Sequence, residues 1–178
     1  WAEAAADAEA ALIEAAKENL EPASIADVST PSFYDINDKN WIWGYDMTTS
    51  MADGKYSTSP SWIGSFSKEA YACGVGCYAF INKMLYDKIP ATDVRKGWWV
   101  DENLHSPLLS TISWGDVTGD EISTLHIDDV KEAFTPYTNV KFGIKRGIGN
   151  TINSNDFPLM RVEEMILIQA EGLAKSGN

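Results

Sequence analysis

The C-terminal segment constrains the fold more than any other part of the chain. It reads NDFPLMRVEEMILIQAEGLAKSGN, from residue 155 to residue 178. With the period of an α-helix it carries two adjacent apolar stripes: Leu159, Val162, Ile166 and Leu173 in one, and Met160, Leu167 and Ala174 in the other. A surface helix has a single apolar arc, whereas this one is polar on only a narrow strip. We therefore expect other helices to cover it on more than one side. We also expect the chain to be truncated at both ends, so that part of that cover is missing.

Two further helices are expected upstream. Alanine and leucine recur on nearly every turn of residues 2–20, which gives strong helix propensity. Pro22 ends this helix because proline cannot continue it. Helical spacing returns at residues 68–88, although two glycines weaken the helix there.

Two short strands are expected between and after these helices. Trp41, Trp43 and Tyr45 alternate with smaller residues and would share one strand face, which we expect to be buried. Residues 137–145 are a second strand candidate. The long loop at 51–66 is rich in glycine, serine and proline, and long loops in compact domains tend to carry function or to be disordered.

The composition restricts the possible partners. A net charge of −12 on 178 residues disfavours nucleic acid and anionic lipid, which are bound by clusters of lysine and arginine. Seven Trp, seven Tyr and six Phe exceed what a core of this size needs. Exposed aromatic rings form flat apolar platforms, so the surplus favours a ligand-binding protein.

Catalytic and metal-binding signatures are weak in this sequence. It contains no nucleophile elbow, zinc-protease, phosphate-loop or dinucleotide motif. The segment DINDKNWIWG resembles a calcium loop, but Lys39 occupies a ligand position and no glutamate follows at the twelfth place. We therefore expect no enzyme activity, no metal ion and no cofactor.

Three blocks of the sequence, in order, resemble the C-terminal half of the SusD/RagB family. The last block matches the family's pattern of Asp, a few apolar residues, Arg-x-x-Glu and an apolar run into Ala-Glu-Ala; the matching residues are Asp156, Arg161, Glu164, Ala170 and Glu171. Gly172 stands where the family usually has alanine. Upstream, LYDKIPATDVRKGWW matches a segment in which a helix ends at proline and Asp-x-Arg follows, here Asp93 and Arg95. The strand WIWGYDMT resembles the element before that helix.

The resemblance implies a mainly α, SusD-like fold of tetratricopeptide-like helices with long irregular loops and a few short strands. The chain would be an incomplete domain, a single region over 1–178 in which 1–22 are a late helix of the array and 23–178 form the irregular ligand-site part plus the final helix. Family members are surface lipoproteins of the Bacteroidetes outer membrane, and the resemblance implies that the full-length protein carries an N-terminal lipidated cysteine outside residues 1–178. They deliver captured oligosaccharide or polysaccharide, or in some members peptides, to a SusC-like TonB-dependent transporter.

Aromatic side chains are the candidate ligand residues, because ring faces stack on sugars and nearby carboxylates accept hydrogen bonds from hydroxyls. Tyr56 and Trp62 lie in the long loop, Trp98 and Trp99 follow the Asp-x-Arg turn, and Trp114 is flanked by acidic residues. The signature residues have expected structural roles: Asp93, Arg95, Asp156, Arg161, Glu164 and Glu171.

The leading interpretation is therefore a non-catalytic glycan-binding surface protein. A peptide-capturing family member, a glycan-degrading enzyme with two carboxylates in a cleft, and a helical scaffold that binds only protein are the alternatives.

Overall fold

The computed structural model describes residues 1–52, 80–111, 113–114, 117–118, 135–146 and 154–177. In chain order the regular elements are α1 (Ala2–Lys17), β1 (Trp41–Tyr45), α2 (Thr49–Ala52), α3 (Lys83–Tyr86), β2 (Ser113–Trp114), β3 (Val117–Thr118), β4 (Phe157–Arg161) and α4 (Val162–Ser176). Short 3₁₀ helices occur at Asp27–Ser29, Val94–Trp98 and Leu109–Thr111.

The described residues belong to two compact units. The first takes its residues from Trp1–Ser24, Ile36–Tyr45 and Pro158–Asn178, and the second from Ile25–Asp35 and Asp46–Phe157. Helices, short strands and irregular segments occur as expected, and the prediction of a single region over 1–178 stays a prediction.

Helices α1 and α4 pack against each other in the first unit. Helix α1 covers most of the predicted helix over 2–20 but ends at Lys17, before Pro22, and Asn19 has a positive φ of 58°. It buries only alanines: Ala5, Ala8 and Ala15. At the contact, a Cβ on Gly172 would lie 2.9 Å from the Cβ of Ala5 and 2.8 Å from the carbonyl oxygen of Trp1. The ammonium of Lys175 lies 4.3 Å from the centre of the Trp1 ring. Small residues on both helices therefore bring the two backbones close together.

Helix α4 begins at Val162, so the prediction that Leu159 and Met160 are helical is wrong. Both residues lie in β4, which pairs with β1 in a two-stranded sheet. The Arg161 N–H donates to the Glu164 carboxylate at 3.3 Å, which supports the first helical turn after the strand. The strand pairing and this contact together set the start of the helix.

Helix α4 buries one face among the described residues. Val162, Met165 and Gly172 are buried. The remaining apolar side chains are 39% to 68% exposed: Ile166, Leu167, Ile168 and Leu173. The expected cover on more than one side is therefore not found in the described part of the chain.

The aromatic face of β1 is buried only at its first ring. Trp41 is 4% exposed, whereas Trp43 is 63% and Tyr45 is 48% exposed. The expectation that all three rings are buried is therefore wrong for Trp43 and Tyr45. Within the ranges that the structure describes, this sheet consists of β1 and β4.

The second unit consists of short elements around a small apolar core. Four apolar side chains are at most 1% exposed: Val100, Leu108, Leu109 and Val140. The prediction of a regular strand at 137–145 is wrong, because this segment begins and ends in turns and pairs with its neighbours only through isolated bridges. Asn139 bridges Trp99 in the antiparallel direction, and Phe142 bridges Ser32 in the parallel direction. Strands β2 and β3 form a two-residue hairpin ladder.

The helix predicted over 68–88 lies largely outside the described residues. Between Phe80 and Lys88 only Lys83–Tyr86 is helical, so the prediction of a continuous helix is wrong for these residues. Phe80 instead bridges Thr138. The Asn82 side chain accepts a hydrogen bond from the Met84 N–H at 2.8 Å and starts a new short helix. No helix in the described ranges is both long and apolar enough to cross a membrane.

Candidate functional site

The turn that carries the two adjacent tryptophans is fixed by Asp93 and Arg95. The Asp93 carboxylate accepts the Arg95 backbone N–H at 2.9 Å, which caps the 3₁₀ helix Val94–Trp98. The Arg95 Nε lies 2.9 Å and 3.1 Å from the two carboxylate oxygens of Asp93. Hydrogen bonds from the Arg95 side chain and backbone lower the pKa of Asp93 to about 2. Asp93 is therefore ionised at neutral pH and serves as an anchor for the turn.

Trp98 and Trp99 follow this turn, and both are half-buried. The indole Nε1 of Trp98 donates to the carbonyl oxygen of Val28 at 3.0 Å. The ammonium of Lys141 lies 4.4 Å from the Trp98 ring centre. The backbone of Trp99 pairs with Asn139. The two rings therefore have different surroundings, and hydrogen bonding at the indole nitrogen holds Trp98.

Two pockets of the second unit adjoin at Trp99 and Asp93, which line both of them. The larger pocket has a volume of about 680 Å³, and the smaller has a volume of about 400 Å³. The smaller pocket is also lined by Trp98, Arg95 and Lys88. We call the two pockets together the Trp99 groove. The volume of each pocket lies within the range of small-molecule binding sites.

Tyr86 lines the larger pocket, and the ammonium of Lys96 lies over its ring. Tyr86 lies 5.3 Å from Tyr137, measured between ring centres. The ammonium of Lys96 lies 4.9 Å from the Tyr86 ring centre and donates to the carbonyl oxygen of Ile89 at 3.0 Å. Burial raises the pKa of Tyr86, and the nearby Asp101 carboxylate adds to the increase. Tyr86 is thus a neutral hydroxyl-bearing ring at physiological pH.

The loop at residues 101–105 supplies further polar groups to the larger pocket, which Asp101 and His105 both line. One Asp101 carboxylate oxygen accepts the backbone N–H groups of Asn103 at 2.7 Å and His105 at 2.9 Å. Leu104 has a positive φ of 67°, which is uncommon for a residue other than glycine. A residue keeps such a strained conformation when surrounding contacts hold it there. Here the Asp101 carboxylate holds the residues on both sides of Leu104 through their backbone N–H groups.

The other signature residues form ion pairs within their own units. The buried Asp156 carboxylate contacts the Lys145 ammonium at 2.8 Å. Arg161 is 3.7 Å from Glu163 and 3.9 Å from Glu164.

The pair formed by Glu171 and Lys175 joins side chains at 2.8 Å on successive turns of α4. It does not line the Trp99 groove. The structural roles expected for Asp156, Arg161 and Glu171 stay predictions.

The sequence candidates divide into three groups. Trp98 and Trp99 line the Trp99 groove. Trp114 lies in β2, opposite Val117 of β3. Tyr56 and Trp62 lie outside the described residues.

Sequence reasoning missed the polar lining of the groove. Tyr86, Lys96, Asp101 and His105 are brought together only by the packing of residues 80–111. For two of these residues a sequence signal was available, since Asp101 and His105 lie in the largely polar stretch that follows Trp99.

Chemically, the groove combines ring faces with hydrogen-bond donors and acceptors of both charges. Among the described residues no group of three or more His, Cys, Asp or Glu side chains is arranged to hold a metal ion. Rings beside carboxylates and ammonium groups can hold a neutral polyhydroxylated ligand through stacking and hydrogen bonds.

Comparison with known proteins gives one solved structure of interest. The chain is similar over 91% of its length to a SusD-like carbohydrate binding protein from Bacteroides vulgatus ATCC 8482, with 20% sequence identity and a TM-score of 0.46. The chain spans 28% of the length of that protein. Searches of protein-family models and of curated proteins give no match.

Proposed function

We propose that this chain is part of a SusD-like, non-catalytic protein that captures oligosaccharide in the Trp99 groove. The motifs Asp-x-Arg and Arg-x-x-Glu support the family, whose tetratricopeptide-like helical array would include α1. Family membership would place the whole protein on the cell outer membrane, lipid-anchored and delivering its glycan to a SusC-like TonB-dependent transporter. The observation that carries the proposal is the position of Trp99, which lines both halves of the groove.

The chemistry of the groove fits a sugar ligand. The C–H face of a pyranose ring is weakly positive and stacks on the negative face of an indole. Asp101 and Lys96 line the larger half, so an acceptor and a donor for hydroxyl groups stand beside the ring. A pocket that is mostly apolar with a few placed polar groups is typical of small-molecule sites.

The carboxylates of the groove are better suited to binding a glycan than to hydrolysing it. A glycosidase needs one carboxylic acid whose pKa is raised so that it can donate a proton. Arg95 instead lowers the pKa of Asp93 to about 2. One oxygen of Asp101 is occupied by two backbone N–H groups. These carboxylates are placed for structure and hydrogen bonding.

Calorimetric titration of the chain with oligosaccharides tests the proposal. The panel contains gluco-, xylo- and manno-oligosaccharides, together with a mixture of short peptides. We expect one glycan series to bind and Trp99→Ala to weaken that binding about tenfold, which corresponds to the loss of one aromatic stacking contact. Trp99→Phe retains a ring and should bind more tightly than Trp99→Ala.

Trp43→Ala is the matched control. Trp43 is also a tryptophan, is 63% exposed and does not line the groove, so its loss should leave the affinity unchanged. Equal weakening by Trp43→Ala and Trp99→Ala would reject the groove as the site. Binding of the peptides alone would favour the peptide-capturing alternative, and new reducing ends in the glycan samples would show an enzyme.

A further inference from the structure

The ammonium of Lys141 lies near three aromatic rings. It lies 4.4 Å from the ring centre of Trp98, 4.5 Å from that of Phe33 and 5.3 Å from that of Phe142. Phe33 and Phe142 meet edge to face, with ring centres 5.9 Å apart. We call Phe33, Trp98 and Phe142 the aromatic clamp. A cation near several ring faces is attracted to each of them, and the attraction grows as water is excluded.

The backbone around the clamp is fixed on both sides of Lys141. The carbonyl oxygen of Lys141 accepts the Ser32 N–H at 2.9 Å, and its own N–H donates to the Asn139 side chain at 2.9 Å. Phe33 has a positive φ of 64°, a conformation that costs energy for a phenylalanine. The protein therefore holds Phe33 in an unfavourable backbone conformation that places its ring against the lysine.

The clamp reaches the Trp99 groove through Trp98. Trp98 lines the smaller pocket, whereas Lys141 lines neither pocket. The hydrogen bond from Trp98 Nε1 to the carbonyl oxygen of Val28 holds one edge of the indole. The Lys141 ammonium over the ring restricts its tilt. Because the Trp98 ring itself lines the smaller pocket, a change in its tilt changes the wall of the groove.

We infer that Lys141 is a positioning residue of the proposed glycan site: its charge, held in the aromatic clamp, orients the Trp98 ring and through it the wall of the groove. The effect on ligand affinity rests on the proposed function. The effect on the Trp98 ring does not depend on any ligand. Two measurements therefore test the two parts separately.

The first measurement compares glycan affinity among charge variants. Lys141→Met keeps an unbranched apolar side chain and removes the charge, so affinity should fall by roughly three- to tenfold, the scale of a partly desolvated cation–π contact. Lys141→Arg keeps the charge and should bind as the wild type does. Lys39→Met removes a lysine charge from an exposed pair with Glu21 in the other unit and is the matched control.

The second measurement needs no ligand. Acrylamide quenching of Trp98 is obtained by subtracting the signal of the Trp98→Phe version of each protein. We expect greater quenching of Trp98 in Lys141→Met than in the wild type and in Lys141→Arg. If Lys141→Met does not fold, Phe142→Leu replaces it, because that change removes one clamp ring while the charge remains, and smaller changes in the same direction are expected.

The outcomes separate the two proposals. If the wild type binds no glycan but Trp98 is more quenched in Lys141→Met, the proposed function fails and the positioning role stands. If the wild type binds glycan and the charge variants change neither affinity nor quenching, the positioning role is overturned and the proposed function stands. Equal losses in Lys141→Met and Lys141→Arg would also overturn it, because the charge would then be irrelevant.

Discussion

The ammonium of Lys145 lies 2.8 Å from both carboxylate oxygens of Asp156, whose side chain is completely buried. The same carboxylate accepts the Met47 backbone N–H at 2.7 Å. A buried carboxylate is tolerated in a protein interior only when it is paired and hydrogen-bonded. Asp156 thus joins two distant stretches of the second unit, one at Met47 and one at Lys145. Contacts of this kind are what a structural role at this position would need.

Removing the charge of Lys145 should destabilise the chain. In Lys145→Met the Asp156 carboxylate loses its cation, and breaking a buried pair on one side should lower the free energy of unfolding by about 3 kcal/mol. Urea unfolding followed by near-ultraviolet circular dichroism measures the change. Lys39→Met removes an exposed partner of Glu21 and should cost less than about 0.5 kcal/mol. Equal effects of the two substitutions would contradict a buried ion pair at Asp156.

The same pair should make stability fall at alkaline pH. Burial acts to lower the pKa of Lys145, but the hydrogen bonds and charges of Asp156 and Asp46 outweigh it and raise the pKa above 10.5. The folded state therefore holds this proton more tightly than the unfolded state. The resulting stability is complete below the unfolded pKa, near about 10.4, and is lost as the pH rises through the folded value.

Thermal melts of the wild type and Lys145→Met across this range check the prediction. The difference between their midpoint temperatures should be constant near neutral pH and shrink above about pH 10.5. A constant difference through the alkaline range would show that the proton on Lys145 contributes nothing.

Local signals predicted the elements that depend on neighbouring residues in sequence. Alanine content predicted α1, although the helix ends at Lys17 and not next to Pro22, and alternation predicted β1. The start of α4 was not predicted, because Leu159 and Met160 fit a helical stripe equally well and only pairing with β1 makes them a strand. Periodicity describes one segment and contains no information about a partner strand.

Of the residues in the candidate site, only the most obvious ones could be predicted from the sequence. Trp98 and Trp99 stand out as adjacent rings after a polar turn. Lys141 gives no signal in sequence, because its relation to Phe33 and Trp98 arises when three separate segments pack together. Residues that act through tertiary contacts of this kind become visible only in the folded structure.

Gly172 should resist a substitution that normally stabilises helices. In an exposed helix interior, glycine to alanine adds about 1 kcal/mol of stability. Here the new Cβ would lie 2.8 Å from the Trp1 carbonyl oxygen and 2.9 Å from the Ala5 Cβ. We expect Gly172→Ala to lower the free energy of unfolding by about 1–3 kcal/mol, since overpacking moves α1 away from α4.

Urea unfolding with far-ultraviolet circular dichroism measures this change. Leu167→Ala alters a side chain on the same helix that is 68% exposed, and it should change stability by less than about 0.5 kcal/mol. A more stable Gly172→Ala protein would contradict the close approach of the two helices.

Asp93 should stabilise the tryptophan turn through two separable contacts. Asp93→Asn keeps an oxygen for the Arg95 N–H but removes the ion pair, and Asp93→Ala removes both contacts. At neutral pH the melting temperature should therefore decrease from wild type to Asn to Ala. Because Arg95 lowers the pKa of Asp93 from 3.8 to about 2, the ion-pair contribution is complete above the unfolded value and is lost as the pH falls to about 2. Melts in this window should bring the wild type toward Asp93→Asn, while the difference between Asn and Ala persists. An unchanged gap between wild type and Asp93→Asn at the acid end would show that the Arg95 side chain does not stabilise the turn.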